Sequence, residues 1–239
     1  MLKQLFRSTP GRVGLGISGL VIVGVVVAIA VYIFGSGPTG NGAAKTPTVA
    51  PTLAASGSTV VFKINSSASN ASFAIDEVLF GQPNTVIGKT SQVTGQILVN
   101  TTDPAASQIG QIRVDLSTLV TDNDLRTQTL QHRILETSDP ANQYAVFATH
   151  SLSGLPTSTA GHAFGDTVSF KTTGDLTIHQ VTKSVTFDVQ VTVNSATLLT
   201  GHAQTTIRYA DFGIVIPNVP TVTDVGATVI LALDFTAHA

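Results

Sequence analysis

Apolar and polar residues alternate along much of the second half of the chain. From Val185 to Val193, a stretch of nine residues, every second residue is apolar and every residue between is polar. A period of two is typical of a β-strand with one buried face. Residues 227–235 also have an apolar residue at every second position, with Leu231 and Phe235 in this set, although their second face is partly apolar as well. These two segments predict the clearest strands of the chain.

Shorter period-2 runs predict further strands, so that eight or more follow one another along the chain. They lie at residues 60–64, 72–79, 93–99, 112–116, 144–152, 168–170, 176–178 and 207–209. Such a series forms either a two-sheet sandwich or an antiparallel barrel, and a closed barrel leaves no exposed edge strand. Residues 88–100 and 181–193 predict strands longer than a typical strand, which favours the barrel.

One segment, residues 123–135, has mixed helical spacing, and Asp122 or Asp124 is available to cap its N-terminus. We therefore predict one short helix in an otherwise all-β domain. The predicted fold class is an extended antiparallel eight-stranded barrel with one short helix.

An apolar run at the N-terminus predicts that the chain is anchored in a membrane. Residues 13–34 contain no charged side chain, and as a helix these twenty-two residues span roughly 33 Å, close to the hydrocarbon thickness of a bilayer. Three cations precede the run, Lys3, Arg7 and Arg12. By the positive-inside rule, residues 1–12 are cytoplasmic and the rest of the chain is periplasmic or extracellular.

A cleaved signal peptide is the alternative, because residues 28–30 read Ala-Ile-Ala, a small-x-small cleavage pattern. Either interpretation exports the domain. Residues 35–58 are mostly small or polar and predict a flexible linker, and residues 59–239 are long enough for one well-buried domain. Within the anchor, Gly14 with Ser18 and Gly24 with Ala28 have the spacing that allows a homodimer.

Composition excludes several classes of function. The net charge is −2 and only 11% of residues are charged, so no basic surface for nucleic acid is expected. The chain has no cysteine, and its six histidines lack the spacing of a metal site. No nucleophile motif such as G-x-S-x-G occurs. We expect no enzyme activity and no cofactor, which leaves a binding or a structural role.

The volume inside the barrel decides between these two roles. The chain has no tryptophan, and Val, Ala, Gly and Thr are common in the predicted strands. Small side chains can leave a space that holds an apolar ligand, or they can pack against one another and fill the interior. A filled interior points to a structural or adhesive domain displayed on a membrane stalk.

Two motifs resemble those of a known family. Residues 174–183, GDLTIHQVTK, resemble the G-x-L-T-I-H-G-V-T-K pattern of the YceI-like family of lipid-binding and polyisoprenoid-binding proteins. Residues 208–214, RYADFGI, resemble that family's R-x-x-F-G-I segment, and Val93–Ile97 is similar to its V-x-G-x-I strand. Gln180 stands where the family usually has glycine. The resemblance extends over residues 59–239.

The resemblance implies a lipocalin-like barrel whose interior accepts an isoprenoid or fatty-acyl lipid. The candidate inward residues are Phe187, Val189 and Leu231, with Phe212 in the second motif. The candidate polar residues are His179, Arg208, Asp211 and, on the predicted helix, Arg126. Arg208 and His179 can donate hydrogen bonds to an anionic head group. Alternatively, Arg208 and Asp211 form a local ion pair and His179 caps a strand.

Overall fold

The computed structural model describes residues 52–218 and 222–239. Within these ranges the protein is all-β, with one short α-helix and a single curled antiparallel sheet. The predicted transmembrane anchor and most of the predicted linker lie outside the described residues. Among the residues that are described, no helix has the length and apolar character needed to span a bilayer.

Thirteen strands make up the sheet in the described ranges. They are β1 (Thr59–Ile64), β2 (Asn70–Leu79), β3 (Gln82–Thr90), β4 (Val93–Thr94), β5 (Gln96–Asn100), β6 (Gln108–Ile109), β7 (Ile112–Asp115), β8 (Tyr144–Ser153), β9 (Thr167–Ile178), β10 (Val181–Ser195), β11 (Leu198–Arg208), β12 (Val222–Thr223) and β13 (Thr228–His238).

The predicted number of eight strands is therefore wrong, partly because the long strand expected at 88–100 is divided. The chain changes its partner strand at Gly95, since β4 pairs with β7 whereas β5 pairs with β1. A Cβ on Gly95 would lie only 3.2 Å from the Cδ1 of Ile64. Glycine in a strand commonly marks such a close approach.

The order of the strands explains the curvature of the sheet. Strands β7, β8, β9, β10, β11 and β13 pair in succession, and β13 then borders both β2 and β1. Strand β3 pairs with β2 and leads directly into β4, which pairs with β7. The pairing thus returns towards its starting edge, so the sheet forms a half-barrel and not a two-sheet sandwich.

The helix α1 covers Asp124–Thr129 and continues as a π-helical turn over Leu130–Ile134. Its N-cap is Asn123, whose side-chain oxygen accepts a hydrogen bond of 3.1 Å from the backbone N–H of Arg126. The prediction of Asp122 or Asp124 as the cap is wrong. Asn123 takes that position because its backbone is extended just before the first helical residue.

The outer face of the half-barrel carries threonine pairs across neighbouring strands. The hydroxyl oxygens are 2.8 Å apart in Thr173–Thr186 and in Thr177–Thr182, and 2.7 Å apart in Thr167–Thr192. Because side chains alternate along a strand, these pairs direct the apolar set of β10 to the inside. Sequence alternation could not decide which face was inward, and burial does: Val189 is buried, whereas its neighbour Asp188 is exposed.

Buried apolar residues form clusters at both ends of the half-barrel. The larger cluster includes Ile75, Leu176 and Phe212 and extends to Leu130 and Ile134, next to α1. The second cluster consists of Phe62, Leu199, Phe235 and Ala237. Between them lies an internal space.

Candidate ligand-binding cavity

A cavity of about 810 Å³ occupies the interior of the half-barrel. This volume is within the range of roughly 300–1,000 Å³ typical of small-molecule sites. Most of the side chains that line the cavity are aliphatic or aromatic, and among the described residues no Lys, Arg, Asp or Glu lines it. The cavity therefore suits a ligand that is largely hydrocarbon.

The strands that form the wall give the cavity an elongated shape. On β10, Phe187, Val189, Val191, Val193 and Ser195 all line it. At about 3.3 Å per residue, this set spans roughly 26 Å. The lining on β9 runs from Val168 to Ile178, which corresponds to roughly 33 Å. These lengths match an extended chain better than a compact molecule.

Inward-facing residues retain accessible surface, as expected around a hollow interior. Phe187, Val191 and Leu231 are only partly buried although their side chains line the cavity. Phe187 is held in place by Phe147, whose ring is edge-to-face with it at a centroid distance of 5.0 Å. An interior packed with side chains, the alternative left open by the sequence, is not what the structure contains.

Glycines on the inner wall make room for aromatic rings from neighbouring strands. A Cβ on Gly88 would lie 2.6 Å from the Cζ of Phe73, and one on Gly174 would lie 2.9 Å from the Cζ of Phe147. Both rings line the cavity. Because the glycines have no Cβ, these rings can lie close to the backbone of the wall, which leaves the central space open.

The two ends of the cavity differ in accessibility. One end is closed by Leu116, Leu119, Leu130, Ile134 and Leu135, each at most 8% exposed. The other end is lined by residues from segments 100–109, 154–166 and 195–196, including the exposed Thr159, His162 and Phe164. The cavity thus has one closed end and one open end.

The predicted apolar site residues fall into two groups. Phe187, Val189 and Leu231 line the cavity together, although Val189 is only 4% exposed and is part of the wall packing. Phe212 is 1% exposed and belongs to the larger core cluster without lining the cavity. Three of the four apolar candidates are therefore at the site.

The predicted polar residues lie outside the cavity lining. Arg208 and Asp211 are exposed, and within the described part of the chain no salt bridge joins them. Arg126 is 8% exposed and pairs with Asp122, while its Nε has no hydrogen-bond partner among the described residues. None of these side chains is placed to contact a hydrocarbon ligand in the cavity.

His179 and Gln180 form the tight turn between β9 and β10. Their φ angles are 50° and 61°, the left-handed pair of a type I′ turn, for which glycine is preferred. The Nε2 of His179 lies 3.2 Å from the Oε2 of Glu136. The side-chain amide of Gln180 donates a hydrogen bond of 3.1 Å to the Oδ1 of Asn142. The turn keeps its usual geometry despite lacking glycine.

Sequence reasoning missed the open end of the cavity. The segment 154–166 has no periodicity, and its three glycines, Gly154, Gly161 and Gly165, have positive φ angles of 91°, 84° and 97°. The one available signal was Phe164, a single aromatic residue in a glycine-containing loop.

Comparison with known proteins agrees with this geometry. The family model of the YceI-like domain matches residues 62–237. A polyisoprenoid binding domain from Saccharophagus degradans, implicated in plant cell wall breakdown, has a TM-score of 0.56 at 18% identity, covering 74% of this chain and 98% of that one. For Burkholderia cenocepacia BcnA the TM-score is 0.55 at 16% identity, with coverage of 72% and 98%. At these identities, the similarity to the two solved structures establishes the fold alone. No curated protein matches the chain.

Proposed function

This chain belongs to the YceI-like family, and from that premise we propose that it binds a long apolar lipid, a polyisoprenoid or a fatty-acyl chain, inside its half-barrel. The observation that carries the proposal is the elongated cavity of about 810 Å³ with no charged side chain in its described lining. The polyisoprenoid binding domain of Saccharophagus degradans has the same fold, which supports this choice of ligand.

Hydrocarbon burial alone supplies enough affinity for retention. Each methylene group transferred from water contributes roughly 0.8 kcal/mol, so one isoprene unit contributes a few kcal/mol. Because Arg208, Asp211 and Arg126 do not line the cavity, recognition depends on the chain of the lipid and not on its head group. A polar head group is best accommodated at the open end, where the lining includes Asn100, Gln108 and His162.

We place the domain outside the cytoplasm, attached to the membrane by residues 13–34. The support is the length of this uncharged run and the cations before it. In this position the protein carries, stores or sequesters one lipid molecule and performs no turnover chemistry. The other role considered, a structural or adhesive domain on a stalk, required a packed interior, and the cavity argues against it.

Mass spectrometry of organic extracts tests the proposal directly. The full chain is purified in a short-chain detergent, washed and extracted, and a sample unfolded before the wash serves as the control for adhering lipid. We expect about one lipid per folded chain, or saturable uptake of an added polyprenol. An empty extract together with no uptake of polyprenol or fatty acid would show the proposal to be wrong.

A further inference from the structure

The open end of the cavity is surrounded by a rim that contains very few charges. We define the rim as residues 100–109, 154–166 and 195–197. Its only acidic residues are Asp103 and Asp166, and it contains neither lysine nor arginine. A surface with this composition does not attract anionic lipid or nucleic acid by charge. Any docking through the rim must depend on apolar contact.

Phe164 is the most prominent apolar side chain of the rim. It is 67% exposed and also lines the cavity, so one ring contacts both the solvent and the ligand space. The loop that carries it is fixed at two places. The N–H of Gly165 donates to the Val193 carbonyl at 2.8 Å, and the hydroxyl of Thr159 donates to the Thr101 carbonyl at 3.3 Å. The loop thus holds the exposed ring at the opening.

The chain passes the rim at Ser58, immediately before β1 begins. The N–H of Thr101 donates to the Ser58 carbonyl at 2.9 Å, and the Ser58 hydroxyl donates to the Oδ1 of Asn100 at 3.3 Å. Residues 35–51, seventeen in all, separate the predicted anchor from Thr52. A coil of that length keeps its ends on the order of 20–25 Å apart. The first described residues lie further along β5, where the N–H of Leu53 donates to the Oε1 of Gln96 at 3.0 Å, about 13 Å along the strand from Asn100. A coil of this length therefore allows the predicted anchor to lie beside the rim.

We infer that the rim docks on the lipid bilayer and that Phe164 inserts into the interfacial layer. Phenylalanine is among the side chains that surface-bound proteins bury at the boundary between head groups and acyl chains. Docking lets a lipid pass between the bilayer and the cavity without crossing water. The transfer of lipid through the rim rests on the proposed function. Docking of the rim on the bilayer is a separate property and is measured with a chain whose cavity is filled. Because the rim has no cation, docking is independent of ionic strength.

The absence of tryptophan from the chain gives a direct test. Phe164→Trp introduces a single tryptophan at the rim, and Phe80→Trp introduces one in the β2–β3 turn near the closed end, where Phe80 is 75% exposed. Each substitution is made in a full-length chain that also carries Val191→Phe, which fills the cavity, so that a brominated lipid bound inside cannot quench the ring. Each chain is reconstituted into phosphatidylcholine vesicles with or without brominated acyl chains. Circular dichroism and thermal unfolding confirm that each variant is folded.

We expect the emission of Phe164→Trp to shift to the blue and to lose more than half of its intensity in brominated vesicles, at both low and high salt. The emission of Phe80→Trp should remain that of a water-exposed ring. Equal quenching of the two variants, or none at position 164, overturns the inference. A blue shift at position 164 without quenching indicates a protein contact, such as a second copy, and also overturns it.

The two proposals fail in different ways. If extracts of the wild-type chain contain no lipid but Phe164→Trp is quenched, the rim docks on the bilayer and the lipid-binding proposal fails. If extracts contain lipid but Phe164→Trp is not quenched, the cavity binds lipid and the docking inference fails.

Discussion

The ring of Phe235 lies against Gly201, its direct partner on the neighbouring strand. A Cβ on Gly201 would lie 2.6 Å from the Cε1 of Phe235 and 2.8 Å from the carbonyl oxygen of Gln190. Phe235 also lines the cavity and is part of the second core cluster. The glycine thus determines where the ring lies and, through it, the shape of the cavity near its open end.

We expect Gly201→Ala to destabilise the domain by about 1–3 kcal/mol, because the added methyl group overpacks the wall and the Gln190 carbonyl is backbone that cannot rotate away. The displaced Phe235 ring should also reduce lipid uptake. Urea unfolding and uptake of a labelled polyprenol measure the two effects. Gln204→Ala, at an exposed position of the same strand, is the control and should change stability by less than about 0.5 kcal/mol. Equal stability of the two variants would contradict the prediction.

Val191→Phe should reduce the lipid content of the purified protein while leaving its stability nearly unchanged. Val191 lines the cavity and is only partly buried, so a larger ring extends into empty space that the ligand would otherwise fill. Gln190→Phe, the adjacent outward residue on β10, is the matched control and should keep the normal lipid content. A loss of roughly 1–3 kcal/mol in Val191→Phe would instead indicate a packed interior.

The sequence predicted the wall of the cavity better than its ends. The strict alternation at 185–193 located β10, and the inward set contains the predicted Phe187 and Val189. The pairing register depends on contacts between strands that are far apart in sequence, such as β2 and β13, where Phe73 is paired with Leu231, and local periodicity does not contain this information. The open end is formed by loops, in which apolar residues do not recur at a regular spacing, so the sequence does not predict it.

Local sequence patterns also did not reveal that the long strand predicted at residues 88–100 is divided. Residues 88–100 alternate well enough to suggest one long strand, but the change of partner at Gly95 depends on where Ile64 and Ile112 lie in the fold. Similarly, the capping prediction failed because three acceptors, Asp122, Asn123 and Asp124, follow one another in sequence. Only the backbone conformation at Asn123 decides which of them caps α1.

The β9–β10 turn gives a prediction that compares two substitutions at Gln180. Both Gln180→Ala and Gln180→Gly lose the hydrogen bond to Asn142, but only glycine adopts a φ of 61° without a steric cost. The glycine variant should therefore be more stable than the alanine variant by roughly 1 kcal/mol. Urea unfolding of the two variants side by side measures the difference. Equal stabilities, or a more stable alanine variant, would show that the turn is not strained.

Arg208→Ala should leave the lipid content of the protein unchanged. Arg208 is exposed and does not line the cavity, so it makes no contact with a hydrocarbon chain held there. His179→Ala should behave in the same way towards the lipid, although it removes the contact with Glu136 and weakens the turn. Mass spectrometry of extracts measures lipid per chain, with Val191→Phe as the variant expected to lose it. If Arg208→Ala lost its lipid while remaining folded, head-group recognition at the closed end would replace recognition of the hydrocarbon chain as the basis of binding.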